Sequence, residues 1–225
     1  METEFKIALA DEGSFTRIRE VLAQRGASEG SRCRQVNHFF DTPGKDLRAG
    51  HLALRLRDEE GKFLLTAKGE TIRGSEDNAL TTRPEVEAEI DEETASAVLQ
   101  GGSSPLDVLE AALGEPRPTL IDRLNEAVGG QALVHLGCFE NERLRPGAIH
   151  VELGGETVAL EFELDRTRFP GGKVERELEL ELSDPAQGPA VEAWLRKVLA
   201  AAGIQWCTAA SKAKRFFAAL EADSD

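Results

Sequence analysis

The chain has 225 residues, with 27 Lys+Arg against 41 Asp+Glu and a formal net charge of −14. That balance disfavours a nucleic-acid binder, because duplex affinity comes mostly from Lys and Arg neutralising phosphates, and it disfavours docking on anionic membranes. With 30% charged and 40% hydrophobic residues, the composition is that of a globular protein, and the length suits about one large domain or two small ones.

Glu2 to Leu9 alternates charged and apolar residues and reads as a strand. Residues 11–25 read as a helix, with Ser14 as its N-cap, Phe15, Ile18, Val21 and Leu22 at helical spacing, and Gly26 as the stop. A strand at 35–40 ends in the turn Asp41-Thr42-Pro43-Gly44. Strands at 52–58 and 62–68, joined by Glu59-Glu60-Gly61, form a hairpin, and 83–90 is a further strand. Helices are expected at 92–99 and 105–113, separated by Gly101-Gly102-Ser103-Ser104, and 116–128 is helical or irregular. Strands resume at 133–145, 148–153, 157–165 and 173–182, and helices at 189–202 and 209–222 close the chain. Hairpin-spaced strands with helices at the start, middle and end indicate an antiparallel α+β fold. No linker rich in Pro, Gly or Ser divides it.

No apolar stretch approaches the roughly 18–20 residues that cross a bilayer. Met1-Glu2-Thr3-Glu4-Phe5-Lys6 leaves no room for a secretory leader. Cys33, Cys138 and Cys207 are odd in number, far apart and without CxxC spacing, so they read as three reduced thiols of a cytoplasmic protein. The four histidines form no HxH or HxxxH pair.

Strand residues two apart share a face. Glu2, Glu4 and Lys6 therefore lie together, as do Arg55 and Arg57, Thr66 and Lys68, Glu85, Glu87 and Glu89, and Arg143 and Arg145. Glu161, Glu163 and Asp165 oppose Leu160, Phe162 and Leu164, and Glu175, Glu177, Glu179 and Glu181 oppose Leu178, Leu180 and Leu182. A solvated sheet face would account for any one of these strands, and Arg55 and Arg57 could simply be exposed partners of Glu85 and Glu87. Like charges in rows repel on a flat sheet, however. A curled sheet with the charges facing a shared interior makes sense of the whole set. Its acidic side would take divalent cations and its basic side phosphate.

The ordered motifs resemble one family. Glu2-Thr3-Glu4-Phe5-Lys6 resembles the ExExK signature of the CYTH domain, the triphosphate tunnel metalloenzymes. Phe39-Phe40-Asp41-Thr42, Leu54-Arg55-Leu56-Arg57, Thr66-Ala67-Lys68-Gly69 and Arg83-Pro84-Glu85-Val86-Glu87 resemble its next segments in order. Arg143-Leu144-Arg145, Leu164-Asp165-Arg166-Thr167, Glu177-Leu178-Glu179-Leu180-Glu181 and Ser211-Lys212 with Arg215 complete the set over about residues 2–217. The usual aromatic-segment tyrosines are Phe39 and Phe40, and the chain has no Tyr, so a ring hydroxyl has no role.

The resemblance implies an eight-stranded antiparallel β-barrel, or tunnel, with helices outside. It implies one domain over 1–225, with a helical insertion at about 92–128 and C-terminal helices at about 189–222. The implied activity is hydrolysis of a triphosphate with Mg²⁺ or Mn²⁺. Inorganic tripolyphosphate is the first expectation, then thiamine triphosphate or a nucleoside triphosphate. An adenylate cyclase of the same fold and a non-catalytic polyphosphate or nucleotide binder are the alternatives. Carried over residue by residue, Lys6, Arg55, Arg57, Lys68, Arg143, Arg145 and Lys212 bind phosphate. Glu2, Glu4, Asp165, Glu177, Glu179 and then Glu181 hold metal, with Glu85 or Glu87 as further candidates. Glu87, or Glu85 beside it, accepts the proton of the attacking water, and Lys6 joins the catalytic group. The expected partner is a small-molecule triphosphate, with no nucleic acid and no membrane, and monomer and homodimer are left open.

Overall fold

The structure, a computed structural model, describes residues 1–73 and 80–222. In chain order the elements are β1 (Glu2–Leu9), α1 (Glu12–Gln24), β2 (Ser31–Asp41), α2 (Asp46–Ala49), β3 (Ala53–Glu59), β4 (Lys62–Lys68), β5 (Ile72–Arg73), β6 (Leu80–Arg83) and β7 (Glu85–Ile90). There follow α3 (Glu92–Leu99), α4 (Pro105–Leu113), α5 (Thr119–Val128), β8 (Val134–Arg145), β9 (Ile149–Leu153), β10 (Glu156–Leu160), β11 (Phe162–Arg168), β12 (Val174–Glu181), α6 (Gly188–Ala201) and α7 (Lys212–Ala222). The class is antiparallel α+β, as the strand and helix pattern predicts. Twelve strands are described rather than eight. Pro84 has no N–H to give a ladder, so the strand expected at 83–90 becomes β6 and β7. The strand expected at 157–165 breaks at Glu161 into β10 and β11.

The chain forms two compact units, each assembled from separate stretches. The first comprises Met1, Arg34–Ile72 and Arg83–Glu140. In it the strand order is β2-β3-β4-β7, antiparallel throughout. The β3–β4 hairpin turns on Glu60 (φ 54°) and Gly61 (φ 90°). Two consecutive positive φ values are what a two-residue hairpin loop requires. Leu54, Leu56, Leu65 and Ala67 point to one face and are buried against Leu106, Leu109, Leu120, Ile121 and Leu124 of α4 and α5. α3 and α4 begin where expected because Asp91 accepts from the Thr94 N–H and Ser104 from the Asp107 N–H.

The second unit gathers residues 2–33, a short stretch ending at Thr82, and the chain from Asn141 onward. Here β12 lies between β1 and β11, antiparallel to both. Phe5, Ile7, Leu164, Leu178 and Leu180 turn inward onto Phe15, Ile18 and Leu22 of α1 and Val191, Leu195 and Val198 of α6. The cap of α1 is Asp11, not Ser14: the Asp11 carboxylate accepts from the Ser14 backbone N–H at 2.6 Å and its hydroxyl at 2.7 Å, which starts the helix at Glu12. Ser14 is instead buried in the first turn. α7 starts at Lys212 rather than near 209, because the Ser211 side chain accepts from the Lys214 N–H.

Candidate active site

Alternation in the second unit puts Leu178 and Leu180 into the core and Glu177 and Glu179 on the opposite face of β12. The ladders then fix their neighbours. Lys6 pairs with Glu179 and Glu4 with Glu181 across β1, while Glu163 pairs with Glu179 and Asp165 with Glu177 across β11. The result is a buried ionic cluster. Oxygens of Asp165, Glu177 and Glu179 all lie within 4.8 Å of one another.

Four cations enclose those carboxylates. Arg143 from β8 grips Asp165 with both arms, Nε–Oδ1 2.8 Å and Nη2–Oδ2 2.6 Å, and reaches Glu179 Oε2 at 2.8 Å. It also touches Glu163. Lys212, the first residue of α7, lays its Nζ 2.7 Å from Asp165 Oδ2 and 3.1 Å from Glu179 Oε1, and contacts Glu177. Lys6 Nζ sits 2.7 Å from Glu4 Oε1 and 3.0 Å from Glu179 Oε1. Arg215, one turn along α7 from Lys212, binds Glu175 at 2.8 Å and Glu177, and lies over the Phe169 ring.

Charge state follows from this packing. Burial pushes the Asp165 and Glu179 carboxyls up, but Lys212 with Arg143, and Lys212 with Lys6, outweigh it and hold both below the usual carboxylate range. Burial wins at Glu177, whose carboxyl is raised despite Lys212 and Arg215. Burial opposes the charges of Arg143 and Lys212 as well, yet the surrounding carboxylates raise both above their ordinary values.

The first unit carries a different row. Arg55, on β3, stands across from Thr66 on β4, which stands across from Glu87 on β7. The Arg55 guanidinium donates to Thr66 Oγ1 at 3.2 Å, and that hydroxyl donates to Glu87 at 2.7 Å. Lys68 pairs with Glu85 at 2.9 Å, and Arg57 Nε donates to Asn37 at 3.4 Å. Arg55 is almost fully buried and its Nε has no partner. Burial, then Arg57 beside it, pushes its guanidinium down to about 9, with Glu85 and Glu87 offsetting only part. A guanidinium stays charged near neutral pH, so the shift registers a buried cation whose charge the protein itself leaves poorly compensated.

The structure thus brings together Glu4, Lys6, Arg143, Asp165, Glu177, Glu179 and Lys212 in the second unit, and Arg55, Arg57, Lys68, Glu85 and Glu87 in the first. Glu2 is half-buried at the start of β1, and Glu181 is exposed at the end of β12, outside the three-carboxylate group. Arg145 is turned to Glu163 and the Cys33 sulfur rather than to that group. Arg166 faces away from Asp165, onto Glu12 and the Phe15 ring. Three contributors escaped the motif reading. Arg215 stood beside the SK pair without a role, Glu163 was only one member of an acidic row, and Thr66 carries no charge to flag it. The Asp41-Thr42 segment is a structural cap: Asp41 accepts from the N–H groups of Thr42, Leu47 and Arg48 at 2.7, 2.8 and 3.0 Å.

An all-oxygen donor set of three buried carboxylates suits a hard divalent cation. The CYTH domain matches residues 1–217. The chain belongs to the CYTH family. Its enzymes act on triphosphates and depend on metal, and this CYTH chain carries a buried cluster of three carboxylates. The fold is shared with the Hippeastrum protein HpAC1, an assigned adenylyl cyclase with a dominant triphosphatase activity, at 26% identity and TM-score 0.75, covering 97% of this chain and 96% of that one. An assigned adenylate cyclase from Bacillus halodurans matches at 21% identity and TM-score 0.65, over 96% and 97% of the two chains. The PH1819 protein of Pyrococcus horikoshii matches at 21% and 0.58, over 97% and 99%. No curated protein matches. Among the described residues, no helix is long and apolar enough to cross a membrane.

Proposed function

We propose that this CYTH protein is a metal-dependent triphosphatase of the cytoplasm whose first substrate is inorganic tripolyphosphate. The observation that carries the reading is the second unit's cluster, in which Asp165, Glu177 and Glu179 are buried among Lys6, Arg143, Lys212 and Arg215. Burying so many charges is expensive for a fold that does not use them, each ion costing several kcal/mol in desolvation. A triphosphate brings about four negative charges near neutral pH, and phosphoryl transfer is catalysed mostly by positioning and electrostatics.

Asp165, Glu177 and Glu179 would hold Mg²⁺ or Mn²⁺, with Glu4 beside them and Glu2 and Glu181 farther out. When bound, the ion supplies charge neutralisation for the phosphates and a more acidic attacking water. Lys6, Arg143 and Lys212 then bring positive charge to the phosphate oxygens, Arg143 from its fixed place on Asp165. Arg55, Arg57, Lys68 and Arg145 are assigned to phosphate as well, Arg55 foremost because it is buried with an unpartnered Nε. Glu87, with Glu85 next to it in β7, accepts the proton of the attacking water.

The test is phosphate release from tripolyphosphate, thiamine triphosphate and ATP, each with Mg²⁺ or Mn²⁺. Tripolyphosphate is expected to turn over fastest, and Glu177→Gln to reduce the rate by about 10²-fold or more. Hydrolysis rather than cyclisation is favoured by the dominant triphosphatase activity of the Hippeastrum protein. Cyclic AMP and pyrophosphate from ATP, in place of ADP and phosphate, would reverse that preference. Tight tripolyphosphate binding with no turnover under either metal would make the protein a binding module.

A further inference from the structure

Lys212 occupies a position that its own helix does not favour. It is the first residue of α7, where the helix dipole stabilises anions rather than cations. Its side chain is nonetheless 88% buried, with the ammonium among Asp165, Glu177 and Glu179. Those are the three carboxylates grouped tightly enough to share one ion. A divalent cation bonded to them at roughly 2.0–2.1 Å would fall within contact distance of the Lys212 Nζ. Two positive centres so close repel strongly in a buried site. The ammonium and the metal therefore exclude each other from this spot.

We propose that Lys212 is a built-in placeholder cation. In the metal-free protein its ammonium fills the divalent-ion position and keeps the three carboxylates from repelling one another. Metal loading expels it, which delivers a free ammonium at the rim of the site when the substrate's phosphates need one. The inference rests on the reading of Asp165, Glu177 and Glu179 as the metal site. The backbone around it is suited to a side-chain swing. Residues 207–209 are pinned to β1 by the Ala8 N–H to the Cys207 carbonyl at 2.7 Å and the Ala209 N–H to the Lys6 carbonyl at 3.0 Å. Ser211 caps the helix. The flexible four-carbon stem of lysine can then move its charge without moving α7. The other cations of the cluster do not duplicate the role. Arg143 is clamped on Asp165 by two parallel bonds, and Arg215 sits between Glu175 and Glu177.

Two measurements without substrate test this. Mn²⁺ binding, read by electron paramagnetic resonance of the free ion, should be roughly tenfold tighter or more in Lys212→Met than in the unmodified chain, because the resident competitor is gone. Equal or weaker binding in a folded Lys212→Met would overturn the placeholder role. The second measurement needs no variant: reductive methylation followed by mass spectrometry should label Lys212 slowly without metal and several-fold faster with saturating Mn²⁺. Unchanged or slower labelling with Mn²⁺ would likewise sink it, even if Lys212→Met does not fold. Glu177→Gln and Glu179→Gln separate the two ideas. If they leave Mn²⁺ affinity intact, the metal site has been misassigned. If they abolish it while Lys212 of the unmodified chain stays unreactive with saturating Mn²⁺, the site stands and the placeholder does not.

Discussion

Single residues in this protein differ sharply in how well their charge is compensated. Arg143 is buried with two or more carboxylates on its donors, whereas Arg55 is buried with one hydroxyl and an unpartnered Nε. A buried cation whose charge is poorly compensated adds little to stability, because its desolvation cost offsets the attraction it gains. Arg55→Met should therefore leave the thermal midpoint equal or higher while raising the KM for tripolyphosphate roughly tenfold or more. A large fall in melting temperature would show that Arg55 is a structural ion after all. Asp41 gives the opposite expectation. Its carboxylate holds the N–H groups of Leu47 and Arg48 in α2 and of Thr42 in the turn before it, so Asp41→Ala strands buried donors and should cost roughly 2–4 kcal/mol in urea denaturation. The same aromatic-Asp-Thr motif that marks the family is thus legible in sequence, but its role as a cap needs the turn geometry.

At the scale of elements, strand parity is the strongest signal. It separates Glu177 and Glu179 from Leu178 and Leu180 without any structure, and it correctly leaves Arg166 on the far side from Asp165. Parity could not say which of four glutamates on one face form the site. That depends on register, since Glu177 and Glu179 lie opposite Asp165, Glu163 and Lys6, whereas Glu181 lies opposite Glu4 at the strand's exposed end. Tertiary packing also creates a pair that spacing could not reveal. His38 on β2 and His135 on β8 are 97 positions apart, yet His38 Nδ1 and His135 Nε2 are 3.1 Å apart, with Phe40 against the His135 ring. Burial holds both imidazoles below their ordinary value, His135 adding to the effect on His38 and Asp58 partly opposing it. A histidine whose folded pKa is depressed adds stability that is present above about pH 6.5 and lost as pH falls through the lower folded value. Denaturant midpoints should therefore drop between pH 7.5 and 5.5. His38→Gln should flatten that slope, and an unchanged slope would remove the pair as its cause.

For the whole molecule, the net charge of −14 is an average that conceals local order. Long-range repulsion should keep duplex DNA and anionic vesicles unbound at physiological salt. Gel shift and vesicle co-sedimentation check this, and binding of either would mean that the phosphate-directed cations are accessible to large polyanions. A small triphosphate responds instead to the local field of a few placed groups. Chain order matters here too. The N-terminal strand and the C-terminal helices belong to one unit, and much of the middle of the chain to the other.

Sequence by itself determined the α+β class, the helices at Glu92–Leu99 and Pro105–Leu113, and the sign of charge on each strand face, because periodicity and caps are local properties. The ordered motifs also placed the chain in its family. Tertiary structure alone decided that Asp165, Glu177 and Glu179 lie within 4.8 Å of one another, that Arg215 and Glu163 belong with them, and that Lys212 reaches all three carboxylates. The physical reason is that affinity for a cation, and the cost of burying charge, depend on distances of a few ångströms between residues far apart in sequence. Strand registers and the docking of α7 set those distances.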